Sequence, residues 1–349
     1  MLRAHSRWET RCGGWYTVIG LVLTLGVLAF LGYRLDLPAL GHALASAQYL
    51  YVLPLLATTV LLYGVGAFQW HLVLRPVRWI HPLWVFRAQM VGALAQGLLH
   101  VPVGKLVQSY VLARRVRVSM SAVLATTLVD RLVDGFAFLG LVGVVLTCTD
   151  LPVGTAPAQT ALRAAGWTSL GLSLGLAALV VVLRAFPTQG AALVARVLGV
   201  LAPRWSQPAA ALYARFCQGL GVPSRWWERG LLGACALGRK AMIPWQVYWM
   251  ARAFALDLPW TAYPFQVVVL GFLLFLTGAL GIRGTYQAGM VVALGFYGVT
   301  KEVAVAIAVL VEVVGHGTAL VLGLVSLWLE GVTLDELRAL RARWRTSPS

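Results

Sequence analysis

The sequence predicts an all-α, polytopic helical membrane protein with about six full spans plus two re-entrant or hairpin segments of opposite orientation. Three observations carry that expectation. Of the 349 residues, 60% are hydrophobic and only 11% are charged, which is more apolar surface than one water-soluble core can hide. Runs such as "WYTVIGLVLTLGVLAFLGY" (15–33) and "AVAIAVLVEVVGHGTALVLGLVSLW" (304–328) reach the roughly 20 residues that cross about 30 Å of hydrocarbon as a helix. Leu, Val, Ala and Gly dominate these runs without period-two alternation, which favours helices over an outer-membrane barrel.

The elements follow in chain order. The first apolar run comes after Arg3, Arg7 and Arg11 and superficially resembles a secretory leader. It is longer than a signal core, and the "ALA" at 43–45 lies beyond Arg34 and Asp36, so the run is expected to stay as a span. Full spans are expected at 15–33, 49–74, 119–147, 161–184, 230–254 and 303–329. Basic residues fall in four groups: the leader arginines; Arg75, Arg78, Arg87, Lys105, Arg114, Arg115 and Arg117; the arginines from Arg184 to Arg229; and Arg338 to Arg345. The positive-inside rule puts all four groups, and with them both termini, on the cytoplasmic side of the cytoplasmic (plasma) membrane.

With the basic groups on one side, segment 82–104 starts and ends in the cytoplasm while 262–299 starts and ends outside. Both are interrupted by Gly or Pro, at "LLHVPVGK" (98–105) and "LTGALGIRGTYQAG" (276–289). Interrupted segments entering from opposite faces point to a transport site at the bilayer midplane and to inverted-repeat symmetry. Two ordinary short spans in each place is the other reading. The whole of 1–349 is expected to be a single integral membrane domain. Within it, 187–229 is a cytoplasmic segment in which Leu193, Val194, Val197, Leu198 and Leu201 share a helical face away from Arg196 and Arg204, as in a helix lying on an anionic leaflet or a solvated linker helix. Residues 330–349 form a short basic cytoplasmic tail.

Four constellations can carry chemistry. In "ATTLVDRLVDGFAFLG" (125–140), Asp130 and Asp134 are four apart and share a helical face, with Arg131 about 100° around it. Each charge at a helix centre costs about 2.5–3.5 kcal/mol on insertion scales, so all three need partners or water. They form either a structural ion pair or a substrate-facing site. In "GRKAMIPWQ", Arg239 and Lys240 can neutralise those acids, grip a lipid phosphate, or reach back to the interface. Glu312 and His316, again four apart and beside Gly315 and Gly317, suit a proton relay or an interhelical hydrogen bond. In "GALGIRG", Gly278 and Gly281 let the backbone bend toward a ligand, and Arg283 adds a cation at the same turn. Cys12, Cys148, Cys217 and Cys235 are scattered, and the six histidines lack ligand spacing, so no metal and no cofactor is expected.

Over residues from about 95 to 330 the chain resembles the lysylphosphatidylglycerol synthase transmembrane family, also described as flippase-like membrane proteins. "VPVGKLVQSYVLARR" loosely matches the family's Pro, then Gly-Glu and an Arg three further on; "DRLVD" matches Glu-Arg-x-x-Asp; "TGALGIRG" matches the Gly-rich turn, with Gly298 and Val299 following before the last long helix. By that resemblance Gly104, Arg131, Asp134, Gly278, Gly281 and Arg283 carry over as site residues. The chain departs from the pattern at Lys105 (Glu), Gln108 (Arg), Asp130 (Glu) and Gly284 (Glu). The resemblance implies movement of lipids or lipid-linked molecules between leaflets, with aminoacyl transfer assigned to a separate soluble domain. With residues 330–349 alone after the last span, translocation without lysyl transfer is expected. The expected partners are membrane lipids with an anionic or zwitterionic headgroup and a lipid-synthesis enzyme, not nucleic acid. Two other functions stay open: an intramembrane transferase or phosphatase acting on polyprenyl-phosphate or phospholipid, using Asp130 and Asp134, and a non-transporting partner of a lipid-modifying complex.

Overall fold

A computed structural model describes residues 36–98, 101–148, 225–278 and 284–330, together with single residues and short runs between 160 and 223. The first expected span, the latter part of the fourth apart from single residues, the amphipathic segment's apolar face, and the basic tail lie outside the described residues.

Every element with printed bounds is helical: α1 (Leu37–Ser46), a short 3-10 turn (Tyr49–Tyr51), α2 (Val52–Leu74), α3 (Pro82–Leu98), α4 (Val101–Val116), α5 (Met120–Cys148), α6 (Trp226–Ala253), α7 (Ala262–Gly278), α8 (Thr285–Gly295) and α9 (Lys301–Glu330). Three stretches are long and apolar enough to cross a membrane: Tyr49–Leu74, Ala122–Cys148 and Lys301–Glu330. They correspond to the second, third and sixth expected spans. α5 and α9, at 29 and 30 residues, are each about 45 Å long, more than the hydrocarbon requires. α6 has 28 residues and runs through Pro244 as one element, but Glu228, Arg239, Lys240 and Arg252 deny it the uniform apolarity of the other three.

The two interrupted segments are each a pair of helices. α3 and α4 are separated by residues 99 and 100, and Pro102 falls in the first turn of α4, where a missing N–H breaks no helical bond. The pair continues to Val116, past the expected end at 104, so Lys105 and Gln108 belong to its second arm. A Cβ on Gly92 would stand 2.9 Å from the Gly104 carbonyl oxygen, and one on Gly104 would stand 2.7 Å from that of Gly92. The two helices therefore touch backbone to backbone, which only glycine permits. α7 and α8 form the second pair, with Gly289 of α8 against Leu270 and Leu273 of α7. Gly284 caps α8 at φ 82°, in the left-handed region that glycine enters freely. That backbone gives a physical reason for Gly where the family pattern has Glu.

The chain divides into two compact units. The first holds the described residues up to Thr58, from Val144 to Gly166 and from Ala241 to Gly315; the second holds those from Thr59 to Gly143, from Trp167 to Lys240 and from His316 onward. The first unit packs Leu55, Met250, Tyr263, Leu270, Met290, Leu294 and Ile307 into an apolar core. It also clusters Trp245, Tyr248, Trp249, Trp260 and Tyr263 with centroids 5.0–6.0 Å apart, edge to face except for the tilted Trp245–Trp249 pair. Such pairs add about 0.5–1.5 kcal/mol each beyond their burial. The second unit has its own core around Trp70, Leu72, Leu74, Val85, Leu112 and Val123.

Two ion-pair clamps fix helix ends of the second unit. Arg75 meets the buried Glu228 at 2.6 Å and lies 6.0 Å from the Trp227 ring. Arg87 and Arg115 both meet Glu330, at 3.3 and 3.7 Å, and Arg115 stacks 4.9 Å above Trp84. Three arginines of the expected cytoplasmic group thus hold carboxylates.

Candidate functional site

Asp130 and Asp134 are both buried on α5, 8% and 9% exposed, whereas Arg131 between them is exposed. The four-residue spacing therefore does what helical geometry requires: both carboxylates share one buried face, and the arginine, about 100° around the helix, is exposed. Charge inside an apolar span demands compensation, and the second unit supplies it from two further helices. Arg239 of α6 places Nη1 3.0 Å from each carboxylate oxygen of Asp134, bridging them with one nitrogen. Gln69 of α2, fully buried, donates its amide to Asp130 at 2.8 Å and to Asp134 at 3.1 Å. One amide group thus ties the two acids together.

The neighbours continue the network. Gly66, one turn before Gln69, leaves room for the Arg239 side chain: a Cβ there would meet its Cζ and Nε at 3.3 Å and the Gln89 amide at 3.2 Å. Gln89 of α3 donates to the Tyr63 carbonyl at 3.1 Å, and Trp70 donates to Thr126 of α5 at 3.1 Å. From α4, Lys105 donates to Gln108 at 2.8 Å and lies within electrostatic range of Asp130, Arg131, Asp134 and Arg239. Lys240, half-buried on α6, lies within range of the same four groups. The Gln69 carbonyl oxygen and the Arg239 Nε are buried without a hydrogen-bond partner among the described residues. The cluster formally holds two acids and four cations.

The other expected site residues fall elsewhere. Gly104 serves the α3–α4 contact, and Gly278 is the last residue of α7. Gly281 and Arg283 lie outside the described residues. Glu312, half-buried in the first unit, accepts a hydrogen bond from Gln287 of α8. His316 is exposed in the second unit and, with Leu94, Gly97 and Gly317, lines an apolar cavity of about 230 Å³.

Sequence reasoning did not single out Gln69, Gln89 or Gln287. The available signal was the one applied to the charges: an amide inside an apolar span needs a partner. "GAFQWHLVL" carries such an amide in its midst.

Long apolar helices carrying a buried cluster of ionic side chains define an integral, polytopic α-helical membrane protein with a charged site among its helices. Within that class, the chain belongs to the family of the lysylphosphatidylglycerol synthase TM region, whose model matches residues 17–341, further in both directions than the motifs reach. It is a flippase-like transmembrane family associated with the handling of lipids and their headgroups. Comparison with curated proteins and with solved structures gave no match in either case.

Proposed function

We propose that the protein moves a phospholipid or lipid-linked molecule between membrane leaflets, its headgroup passing the Asp130–Asp134–Arg239 cluster. The observation that supports this most is the size of the cluster. A strut between two helices needs one acid and one base, yet here Asp130, Arg131, Asp134, Arg239, Lys240 and Lys105 gather from three helices at a cost of several kcal/mol of insertion energy. A charged headgroup crossing hydrocarbon needs such a polar station, since it too is expelled from the apolar interior.

In this reading the two glycine-bearing helix pairs, α3 with α4 and α7 with α8, act as the re-entrant elements of an alternating-access cycle. Gly104 permits the close helix contact of the first. Gly278, Gly281 and Arg283, from the Gly-rich stretch in sequence between α7 and α8, are the residues proposed to receive the headgroup. Glu312 and His316, one turn apart on α9, couple the cycle to a proton.

The test is transbilayer movement of acyl-labelled phospholipid in vesicles reconstituted with purified protein, read by quenching from outside. Movement above protein-free vesicles is expected for the native chain, falling at least tenfold in Asp134→Asn and in Arg283→Ala protein that still inserts. Rates equal to protein-free vesicles would reject transport. Native rates in both variants would reject the site.

A further inference from the structure

The glycines of the second unit fall into different kinds. At Gly92, Gly104 and Gly323 an added Cβ would collide with a neighbouring helix. For Gly323 of α9 the obstacles are the Leu94 Cβ at 2.7 Å and the Met90 carbonyl oxygen at 2.9 Å, so α3 and α9 touch backbone to backbone there. Gly97 and Gly317, one to two turns away on the same two helices, are unlike these. A Cβ on Gly97 would meet only the His316 ring carbon Cδ2, at an ordinary 3.8 Å, and one on Gly317 would meet nothing within 4 Å. Glycine costs a helix roughly 1 kcal/mol against alanine, and close packing does not require it at either position. What the two leave is the apolar cavity of about 230 Å³, walled otherwise by Ala93 and Leu94 of α3 and by His316, Ala319 and Leu320 of α9. All of its lining lies in the second unit, and it opens beside the Gly323 contact.

Depth and chemistry decide what can fill it. Glu330, held by Arg87 and Arg115, and Trp328, 80% exposed, mark the interfacial end of α9. From that end, residues 316–320 lie about 15–21 Å along the helix, close to the middle of about 30 Å of hydrocarbon. His316 is the one polar side chain among the described lining residues, which does not hold water, since a buried water needs about two to four polar partners. The cavity is continuous with the exposed side of this membrane-crossing helix through Leu320, which is 45% exposed and lies beside the exposed Val321 and Leu324. We infer that the cavity seats the methyl-end half of one acyl chain of a membrane phospholipid. The seat shares no residue with the charged cluster and does not rest on the transport reading. An apolar cavity of about 150 Å³ takes benzene, so this one holds on the order of nine chain carbons. Headgroups are excluded at that depth, whereas chain ends reach it.

The experiment reads occupancy separately from movement. Purified full-length protein in phosphatidylcholine vesicles is irradiated with a phosphatidylcholine probe whose photoreactive diazirine sits either at the methyl end of one acyl chain or beside its ester, and labelled residues are mapped by mass spectrometry. The methyl-end probe should label residues 93–97 and 316–320 at least fivefold more than the ester-side probe, and at least threefold more than it labels the exposed Val321 at the same depth. Gly317→Leu, whose side chain enters open space, should cut that labelling at least fivefold. Gly97→Leu fills the cavity from α3 and should do the same, which keeps the test decisive if the first variant fails to insert. Leu324→Ala, on the exposed face beside the cavity, should label as the native chain does. Equal labelling by the two probes overturns the inference. So does labelling that survives both fillings, which would mean only the bulk lipid around the helices. An unlabelled cavity in the native protein, with Gly317→Leu lowering the thermal unfolding midpoint, also overturns it and would mean that a segment of this chain occupies the space. Cavity labelling without transbilayer movement would reject transport and leave the seat standing; movement without cavity labelling would do the reverse.

Discussion

In the second unit α3 and α4 approach until Gly92 and Gly104 each face the other helix's backbone carbonyl, whereas in the first unit α7 and α8 meet at Gly289 through leucine side chains. The same contrast runs through the two units. The second surrounds two buried carboxylates with an amide, an arginine and further cations, and clamps its helix ends with arginine–glutamate pairs. The first shows an apolar core, an aromatic stack and the amide–carboxylate bond from Gln287 to Glu312. Rigid backbone contact beside a charged cluster keeps donors and acceptors in register; soft side-chain contact lets helices shift at little cost.

The contrast is sharpest at Arg239. Replacing it with Ala leaves Asp134 buried without its cation, and about 3–5 kcal/mol of stability should be lost, measured by thermal or denaturant unfolding in detergent. A loss below about 1 kcal/mol would mean that water already solvates the cluster. Gly104→Ala comes next. Its new methyl would stand 2.6 Å from the Gln96 Cβ and 2.7 Å from the Gly92 carbonyl oxygen, so α3 and α4 must separate, at about 1–3 kcal/mol. Gln287→Leu removes the donor to Glu312 and should cost about 1–2 kcal/mol in the first unit. Gly289→Ala is the mildest. Its methyl would meet the Leu270 Cδ2 at 2.5 Å, but that atom ends a flexible side chain, and alanine favours helix, so the change should stay within about 1 kcal/mol of native. Should Gly289→Ala prove costlier than Gly104→Ala in the same assay, the distinction between a rigid and a yielding pair fails.

Much of this was legible in the residues. Apolar run length marked three spans because lipid imposes a single periodic solution on the backbone. The glycine and proline breaks located both helix pairs, and the spacing of Asp130 and Asp134 placed them on one buried face. Less legible was the reach of the first pair: "VGKLVQSYVLARRV" is charged enough to read as a loop, yet it is the arm that carries Lys105 to the cluster. Gln69 escaped notice because a single neutral amide weakens an apolar pattern less than a charge does, although buried it is as demanding of partners. The partners of Arg75, Arg87 and Arg115 were hidden for another reason. Glu228 and Glu330 lie far away in sequence, and local spacing says nothing about long-range pairing.

The most direct test replaces the buried pair with a nonpolar one, Asp134→Leu with Arg239→Met, and measures stability and lipid movement in the same preparation. Well-packed apolar substitutes for a buried ion pair are often neutral or stabilising, so the unfolding midpoint should remain near native. If the cluster is a headgroup station, lipid movement should nevertheless fall at least tenfold. A stable double variant that still moves lipid at the native rate would contradict the account, leaving the pair as a strut.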